Sequence, residues 1–421
     1  MAYASNIEIF GQNYAIKDSR LTDFFLKTKK DLYFQNPRFL IFDFSDANRR
    51  SVKIRKGTYI DLPITSGGIT TVRTLYADSD TAFDLSAKIT AAATASSVRT
   101  GEENGKDFYV YLVPDGADGI DLTVSERKDY PGDIDAGYMA DNTRRIGQFH
   151  TLCVDAGDSL TGEILCAKSS VAVSDSFLLK KYPEAESEFY NFYNKTISAV
   201  TTGTQADKLT VPHPLAGFKA GDILPESVFC LSFRPFSGAE GMVYDVDTDM
   251  CGDIYLQSGT GQLTASAYGA THTVSRQQQN HEDDMRQVGK MLIGDEEFSS
   301  MALGSNEKTT IQGASDKTTV GGHVDTNGRR MISFIGCEEM CGYLWQWTRD
   351  VSANGGSSFS TYDGDGFFGQ TYGSANALFA GGGWNGGASC GSRSRQGDLA
   401  RSSVSGTDHG GRGVARLISY I

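Results

Sequence analysis

Positive charge is in short supply in this chain. Its 421 residues carry 39 Lys and Arg against 52 Asp and Glu, a net charge of -13. Nucleic-acid affinity comes mostly from neutralising phosphates with Lys and Arg, so a field of this sign excludes nucleic acid as the expected partner. No segment approaches the roughly 20 consecutive apolar residues that a membrane-spanning helix needs, and membrane insertion is not expected. The opening stretch, MAYASNIEIFGQNYAIKDSR, lacks the basic region and apolar run of an export signal, which predicts synthesis in a cytoplasm without export by that route. Cysteine is sparse and odd in number: Cys153, Cys166, Cys230, Cys251, Cys337, Cys341 and Cys390. Such a set does not form a disulfide framework, and buried free thiols are expected. Cys337 and Cys341 lack the second Cys or His pair that a structural zinc site requires.

Apolar residues make up 39% of the chain and charged residues 22%, an ordinary balance for a chain with a real core. The length predicts two to four domains. Residues 1–35 read as an attachment segment, with a strand-like piece from Ile7 to Ile16 and a helix from Ser19 to Leu32. Residues 36–153 read as a β-sandwich: RFLIFDF, SVKIRKGTYIDLP, KDFYVYLVP and GIDLTVSE alternate apolar and polar residues between turn signals. Residues 154–220 form a connector or insertion, in which SEFYNFYNKTISAV looks helical and VPHPLAGFKAGDI irregular. In 221–421 the pattern changes. A helix is predicted up to about Val288, then a Gly289-Lys290 turn, then a second helix with Asp295 as its N-cap. Glycine is abundant, with 17 of the 48 between Val351 and Ile421. Because regular elements tolerate glycine poorly, only short strands and many loops are expected there. Phe367, Phe368, Tyr372, Leu378, Phe379, Trp384, Val414, Leu417 and Ile418 supply anchors that a disordered linker lacks. The fold class is therefore mixed and β-rich, a sandwich-like region followed by a loop-rich α+β domain.

Several groupings have the residue types of chemistry without its spacing. His281-Glu282-Asp283-Asp284 carries ligand side chains, but neighbours on a helix point apart, so it reads as a polar helix face. The loop YDVDTDMCGD lacks the Gly and Glu of a calcium loop. Asp363 and Asp365 are the one candidate for a structural cation, against a simple turn; no cofactor is implied. No Cys-His signature and no phosphate-binding G-x-x-x-x-G-K-S/T loop occurs, which argues against a thiol hydrolase or a nucleotide-binding enzyme. Trp345 and Trp347 share one face of a strand, as a core slab or, alternatively, a sugar-stacking platform.

The richest stretch is ALFAGGGWNGGASCGSRSRQGDLARSSVSGTDHGGRGVARLI, small polar residues between apolar ends. Ala377-Leu378-Phe379, Gly381-Gly382, Trp384-Asn385-Gly386, Gly391-Ser392-Arg393 and Gly410 through Val414 closely resemble the variable region of the major tropism determinant family. These are receptor-binding proteins of phages that carry a diversity-generating retroelement. Upstream, GKMLIGDEEFSSMALG, CGYLWQWTRD, LSFRP with DIYL, and less specifically DFYVYLVPDG with RRIGQFH, are similar to further parts of that family. The likeness covers about 36–153 and 221–421.

The resemblance implies a C-type-lectin-like domain over 221–421 with a variable region at 377–417. It also implies a homotrimer at the tip of a virion tail fibre, assembled with other phage tail proteins and binding a host cell-surface protein or glycan. Adenine mutagenesis of AAY codons cannot produce Lys, Glu, Gln, Met or Trp. Between Asn385 and Val414 there is no Lys, Glu or Met, and the single Gln is Gln396. Carried over position by position, the displayed binding residues are Gly383, Asn385, Gly386, Ser389, Gly397, Asp398, Ala400, Ser403, Ser405, Gly406, Thr407, Asp408 and His409. Trp384, Arg393, Arg395 and Arg412 are read as scaffold, since an arginine fork can satisfy several carbonyls at once. Competing readings are a prophage- or cell-encoded variable surface protein, an enzyme like the formylglycine-generating enzymes, whose cysteine pair is missing here, and a calcium lectin, whose W-N-D is W-N-G here.

Overall fold

The computed structural model describes residues 37–66, 69–116, 119–165, 208–311, 317–361, 370–403 and 406–419, together with four short strands in the N-terminal and connector regions. Those four strands form two antiparallel pairs: Asn6–Ile9 with Gln12–Ala15, and Phe177–Leu179 with Lys195–Ile197. Lys195–Ile197 belongs to the stretch expected to be helical; it is a strand instead, and the rest of that stretch lies outside the described residues. So do the expected helix Ser19–Leu32, Cys166, Asp363, Asp365 and Ser405.

The alternation in KDFYVYLVP has a direct outcome. Strand Asp107–Asp115 is buried on both faces. Phe108, Val110 and Leu112 point into the main core with Leu40, Phe42, Val52, Leu122 and Val124. Tyr109, Tyr111 and Val113 point the other way and pack with Tyr138. A three-stranded sheet, Leu40–Phe42, Ser51–Ile54 and Thr81–Asp84, and a two-stranded ribbon, Tyr59–Ser66 with Ile69–Tyr76, complete this part. It also contains a helix, Ser86–Ala95, inside a region expected to be all β. SAKITAAATA is alanine-rich, and alanine is the strongest helix former. The helix seats Ile89, Ala92 and Ala93 in the core.

One sheet runs through the expected boundary between the sandwich and the C-terminal region. Its strand order is Met242–Asp245, Met250–Asp253, Gly413–Ser419, Phe233–Pro235, Phe229–Cys230, Arg144–His150, Asp107–Asp115 and Gly119–Ser125, with Met291–Leu292 also pairing on Gly413–Ser419. The C-terminal strand is therefore central, held from both sides. A polar seam reinforces the joint. His150 Nδ1 lies 2.9 Å from the Asp107 carboxylate and its Nε2 3.0 Å from the Tyr255 hydroxyl. The Cys153 thiol donates to Glu338 at 3.2 Å, and Glu338 forms a buried ion pair with Arg330 at 2.5 Å.

The glycine-rich C-terminal part is more regular than its composition suggested. Strands Trp345–Thr361, Gln370–Gly381 and Gly391–Ala400 contain 17, 12 and 10 residues, and with His409–Gly410 they form a four-stranded sheet. The ladder accommodates its glycine and serine content through register shifts. These fall between Trp347 and Val351, Asn354 and Phe359, Ala377 and Phe379, and Ala380 and Gly381. Where backbone freedom is needed it is needed acutely. Gly382 has φ +87°, and a Cβ there would sit 2.5 Å from the Cys390 sulfur.

Both expected C-terminal helices exist, with two corrections. Gln278–Gln287 does not present a solvated polar face, because His281, Glu282 and Asp284 are buried beside Gln278 and Met285. Their spacing puts them on one side of the helix, turned inward and matched by polar partners. The second helix is Asp295–Met301, with Gly294 at the N-cap, so Asp295 is the first helical residue. Glu297 reaches back to accept the Gly294 N–H at 3.1 Å, half of a capping box, since glycine brings no side chain.

Candidate functional site

The C-terminal segment is anchored first by Arg412, which is fully buried. Its Nη1 donates to the carbonyls of Asp253 at 2.7 Å and Ile254 at 2.8 Å, its Nη2 to the Glu338 carbonyl at 2.5 Å, and its Nε to Gln346 Oε1 at 2.9 Å. One planar fork thus ties together the central sheet, the 338 loop and the start of the Trp345–Thr361 strand. The charge does not stand alone. Asp253 lies close by, and it pairs with Lys290 at 2.5 Å and accepts the Gly413 N–H at 3.0 Å. Burial lowers the Arg412 pKa, but a guanidinium keeps its proton.

The second anchor is aromatic. Phe379 receives Trp345 and Trp347 edge-on, at centroid separations of 5.4 and 5.1 Å, and His409 at 4.8 Å. Trp347 is wholly buried, so the tryptophan pair is a core slab and only Trp345 is partly open. A third set fixes the ends of the strand Gly391–Ala400. Arg395 bonds to Asp295, to Ser299 Oγ at 2.6 Å and to the carbonyls of Ser392 and Ser394 at 2.8 and 2.9 Å. Glu307 accepts the Ser392 N–H at 3.1 Å with both oxygens, and burial raises its pKa. Asn376 Nδ2 donates to the Gly397 carbonyl at 2.8 Å. Arg401 donates from Nε to Gln278 Oε1 at 2.5 Å and pairs with Glu282 at 2.8 Å, which explains why that helix turns polar groups inward.

Glu307, Asn376 and Arg401 escaped sequence reasoning. Their partners lie between 21 and 123 residues away, so no local pattern marks them. Of the arginines read as scaffold, Arg395 and Arg412 pin the backbone. Arg393 instead stands exposed on the wall of a cleft of about 370 Å³ shared with Asp295, Ser299 and Glu163. Trp384 is half-buried against the core, with the Lys317 ammonium 5.9 Å from its ring.

The twelve displayed candidates among the described residues divide by exposure. Asn385, Ser389, Asp398, Ala400, Gly406 and Thr407 are exposed, while Gly386, Gly397, Ser403 and Asp408 are half-exposed. Gly383 and His409 point inward. Gly383 bridges to Tyr343, and its carbonyl accepts the Cys390 thiol at 3.2 Å. His409 sits among Trp347 and Phe379, with Nδ1 2.9 Å from the Asp408 carboxylate. Two groups result. The turn 383–389 neighbours Asp408 and His409, because Tyr343 pairs with Gly383 and Trp345 with His409. Gly397, Asp398, Ala400 and Ser403 occupy the other end of the strand Gly391–Ala400.

Elsewhere the candidate chemistry turns out to be structural. In the loop at Asp245, Thr248 donates to Asp245 at 2.8 Å and Tyr244 to Asp249 at 2.9 Å, so these aspartates shape a hairpin turn. The six described cysteines are buried free thiols. Burial pushes Cys390 up to about 11 and Cys341 well above its ordinary value. Among the described residues no group of three or more His, Cys, Asp or Glu is placed to hold a metal ion. No helix there is long and apolar enough to cross a membrane.

The chain is a β-rich fold whose C-terminal sheet is held by buried residues and carries small polar residues along its rim. Comparison with known proteins gives that fold a name: it is major-tropism-determinant-like. Residues 50–174 match the family model of the Mtd second domain. The solved major tropism determinant U1, M1 and I1 variants share the fold at TM-scores of 0.55, 0.56 and 0.56, each with 20% identity over 90% of this chain. The match spans 86% of the U1 chain and 84% of the other two. No curated protein sequence matches the chain.

Proposed function

We propose that this chain is a phage receptor-binding protein, carried as a homotrimer at a tail-fibre tip, that recognises a host surface protein or glycan through a C-type-lectin-like domain spanning 221–421. The observation that carries the reading is the contrast within the C-terminal segment. Arg412, Trp347 and Phe379 are sealed in the core, while Asn385, Ser389, Asp398, Ala400 and Thr407 project from strand ends and turns that those residues hold fixed. A rim of this kind can change its side chains without disturbing the fold, as diversification by a retroelement requires. The buried, high-pKa thiols Cys341 and Cys390 are poor nucleophiles, which disfavours the formylglycine-generating reading.

The exposed set is small and polar and lacks the large aromatics that dominate binding hot spots. Each site therefore binds weakly, and avidity across a trimer or a virion supplies retention. The test is cell binding by the labelled full chain across a panel of bacterial strains, alongside a variant carrying Asn385→Arg, Ser389→Arg, Asp398→Arg and Thr407→Arg. Binding to particular strains should be lost in the folded variant, and undiminished binding would refute the assignment; a nanomolar Kd for a single monomeric domain would refute weak binding per site. A nearby repeat matching 377–417, with Asn at the displayed positions, would establish diversification, and neighbouring tail genes would decide between a phage and a cellular protein.

A further inference from the structure

Beside the proposed face lies a cleft of about 410 Å³ lined by Glu282, Arg286, Met291, Leu292, Arg349 and Arg401. Three guanidiniums reach it from three separate elements: Arg286 from the helix Gln278–Gln287, Arg349 from the strand Trp345–Thr361, and Arg401 from just past the strand Gly391–Ala400. Such convergence is unexpected in a chain of net charge -13. Of the carboxylates that pair with these arginines, only Glu282 lines the cleft. Glu297 pairs with Arg349 at 2.5 Å and is also held by the Gly294 N–H, and Asp283 is turned largely to solvent. The floor is apolar, formed by Met291 and Leu292. Arg349 and Arg401 are fixed by their partners. Arg286 makes only long contacts, 3.2 Å to Asp283 and 3.3 Å to Glu282, and its side chain is 67% exposed.

We infer that this cleft binds an oxyanion-bearing saccharide, a sugar carrying a carboxylate or a phosphate, as an auxiliary contact beside the diversified rim. A guanidinium fork matches the paired oxygens of either group, and each arginine has five N–H donors, of which the two bonds made by Arg286 and by Arg349 use a minority. The volume falls within the range of small-ligand sites, and the Met291–Leu292 floor suits the apolar face of a pyranose ring. The position of Arg401 explains how such a contact coexists with a variable rim. Arg401 is tied to Gln278 and Glu282, so the cleft keeps its shape while residues on either side change.

The inference deepens the receptor-binding proposal, and its test is independent of it. Saturation-transfer NMR on the full-length chain uses glucuronate, glucose 6-phosphate and neutral glucose as probes. Glucuronate and glucose 6-phosphate should bind with Kd on the order of 1 mM, as expected for ligands of this size, and glucose should give no comparable signal. The ratio of the two charged probes identifies which oxyanion is preferred. Arg286→Gln should weaken both about fivefold and Arg286→Glu should abolish the signal, while Arg416→Gln, exposed elsewhere, leaves it unchanged. Equal response from glucose, silence from both charged sugars, or full binding by the folded Arg286→Glu variant would each overturn the site. None of those results bears on whether the rim binds cells, and loss of cell binding by the four-arginine rim variant leaves the sugar titration intact.

Discussion

Arg412 offers the sharpest test of the scaffold. Replacing it with Met keeps much of the volume but deletes the donors to four buried acceptors, three of them main-chain carbonyls. A buried acceptor left unsatisfied costs about 1–3 kcal/mol. Apolar replacement of a buried ion can be neutral when its partners are replaced too, but carbonyls cannot be replaced. Losing the cost of burying the charge offsets part of the penalty, and a net loss of about 4 kcal/mol is expected, a large share of a typical total of about 5–15 kcal/mol. Arg412→Lys keeps the charge but has three donors on a point-like head, cannot span the four acceptors, and should lose about 2 kcal/mol. Trp345, Trp347 and Trp384 are the only tryptophans in the chain, so fluorescence during urea unfolding reports on this region alone. A midpoint for Arg412→Met within about 1 kcal/mol of the parent would refute the claim that this residue holds the segment together.

The remaining predictions concern the rim, the backbone and pH. Thr407→Tyr and Asp398→Tyr should each change stability by less than about 0.5 kcal/mol, whereas His409→Ala, which empties a site packed against Trp347 and Phe379, should cost about 2 kcal/mol in the same unfolding assay. Gly382→Ala should destabilise by about 2 kcal/mol or more, because the new Cβ meets the Cys390 sulfur and φ is +87°; a neutral result would show that the turn can shift. Burial lowers His213 to about 3 and His281 to about 4 from the usual 6.5. The unfolded chain takes up these protons below about pH 6.5 while the folded chain refuses them, so stability present above that pH is lost as pH falls, by about 2 kcal/mol for each histidine at pH 5. Urea midpoints at pH 7 and 5 should therefore diverge in the parent and converge in a His213→Gln, His281→Gln variant.

Patterns confined to a few neighbouring residues were legible in the sequence. The alternation in KDFYVYLVP foretold a strand, and the W-x-W spacing placed Trp345 and Trp347 on one face. The arginines of the C-terminal stretch could be read as carbonyl clamps from their fork of donors, which describes Arg395 and Arg412 but not the exposed Arg393. What escaped was set by distance. The sheet that joins Arg144–His150 to Phe229–Cys230 depends on pairing across about eighty residues, which no window contains. The inward turn of His281, Glu282 and Asp284 depends on Gln257, Arg276 and Arg401, and without those partners the same string reads as solvated. Glycine counts misled for another reason. They predict broken strands where a ladder with bulges absorbs the same residues, as between Ala377 and Phe379.

The partition of the twelve described rim candidates follows from the same physics. Gly383 and His409 lie beside the tryptophan slab on adjoining chain segments, Gly383 held by its bridge to Tyr343 and His409 by ring contacts with Trp347. A side chain larger than hydrogen at 383 would meet Trp345 at 3.2 Å. Variation at these two positions would therefore be paid for in stability, whereas Asn385, Ser389, Asp398 and Thr407 project into solvent and can change at little cost. If the rim is diversified as proposed, folded sequence variants should concentrate their changes at the exposed positions. Position 383 should admit little beyond glycine and alanine, and position 409 should accept only flat aromatic rings. Randomising all thirteen positions in one library and sorting for folded protein tests this directly. Free substitution at 383 among the folded clones would show that burial does not limit the displayed set.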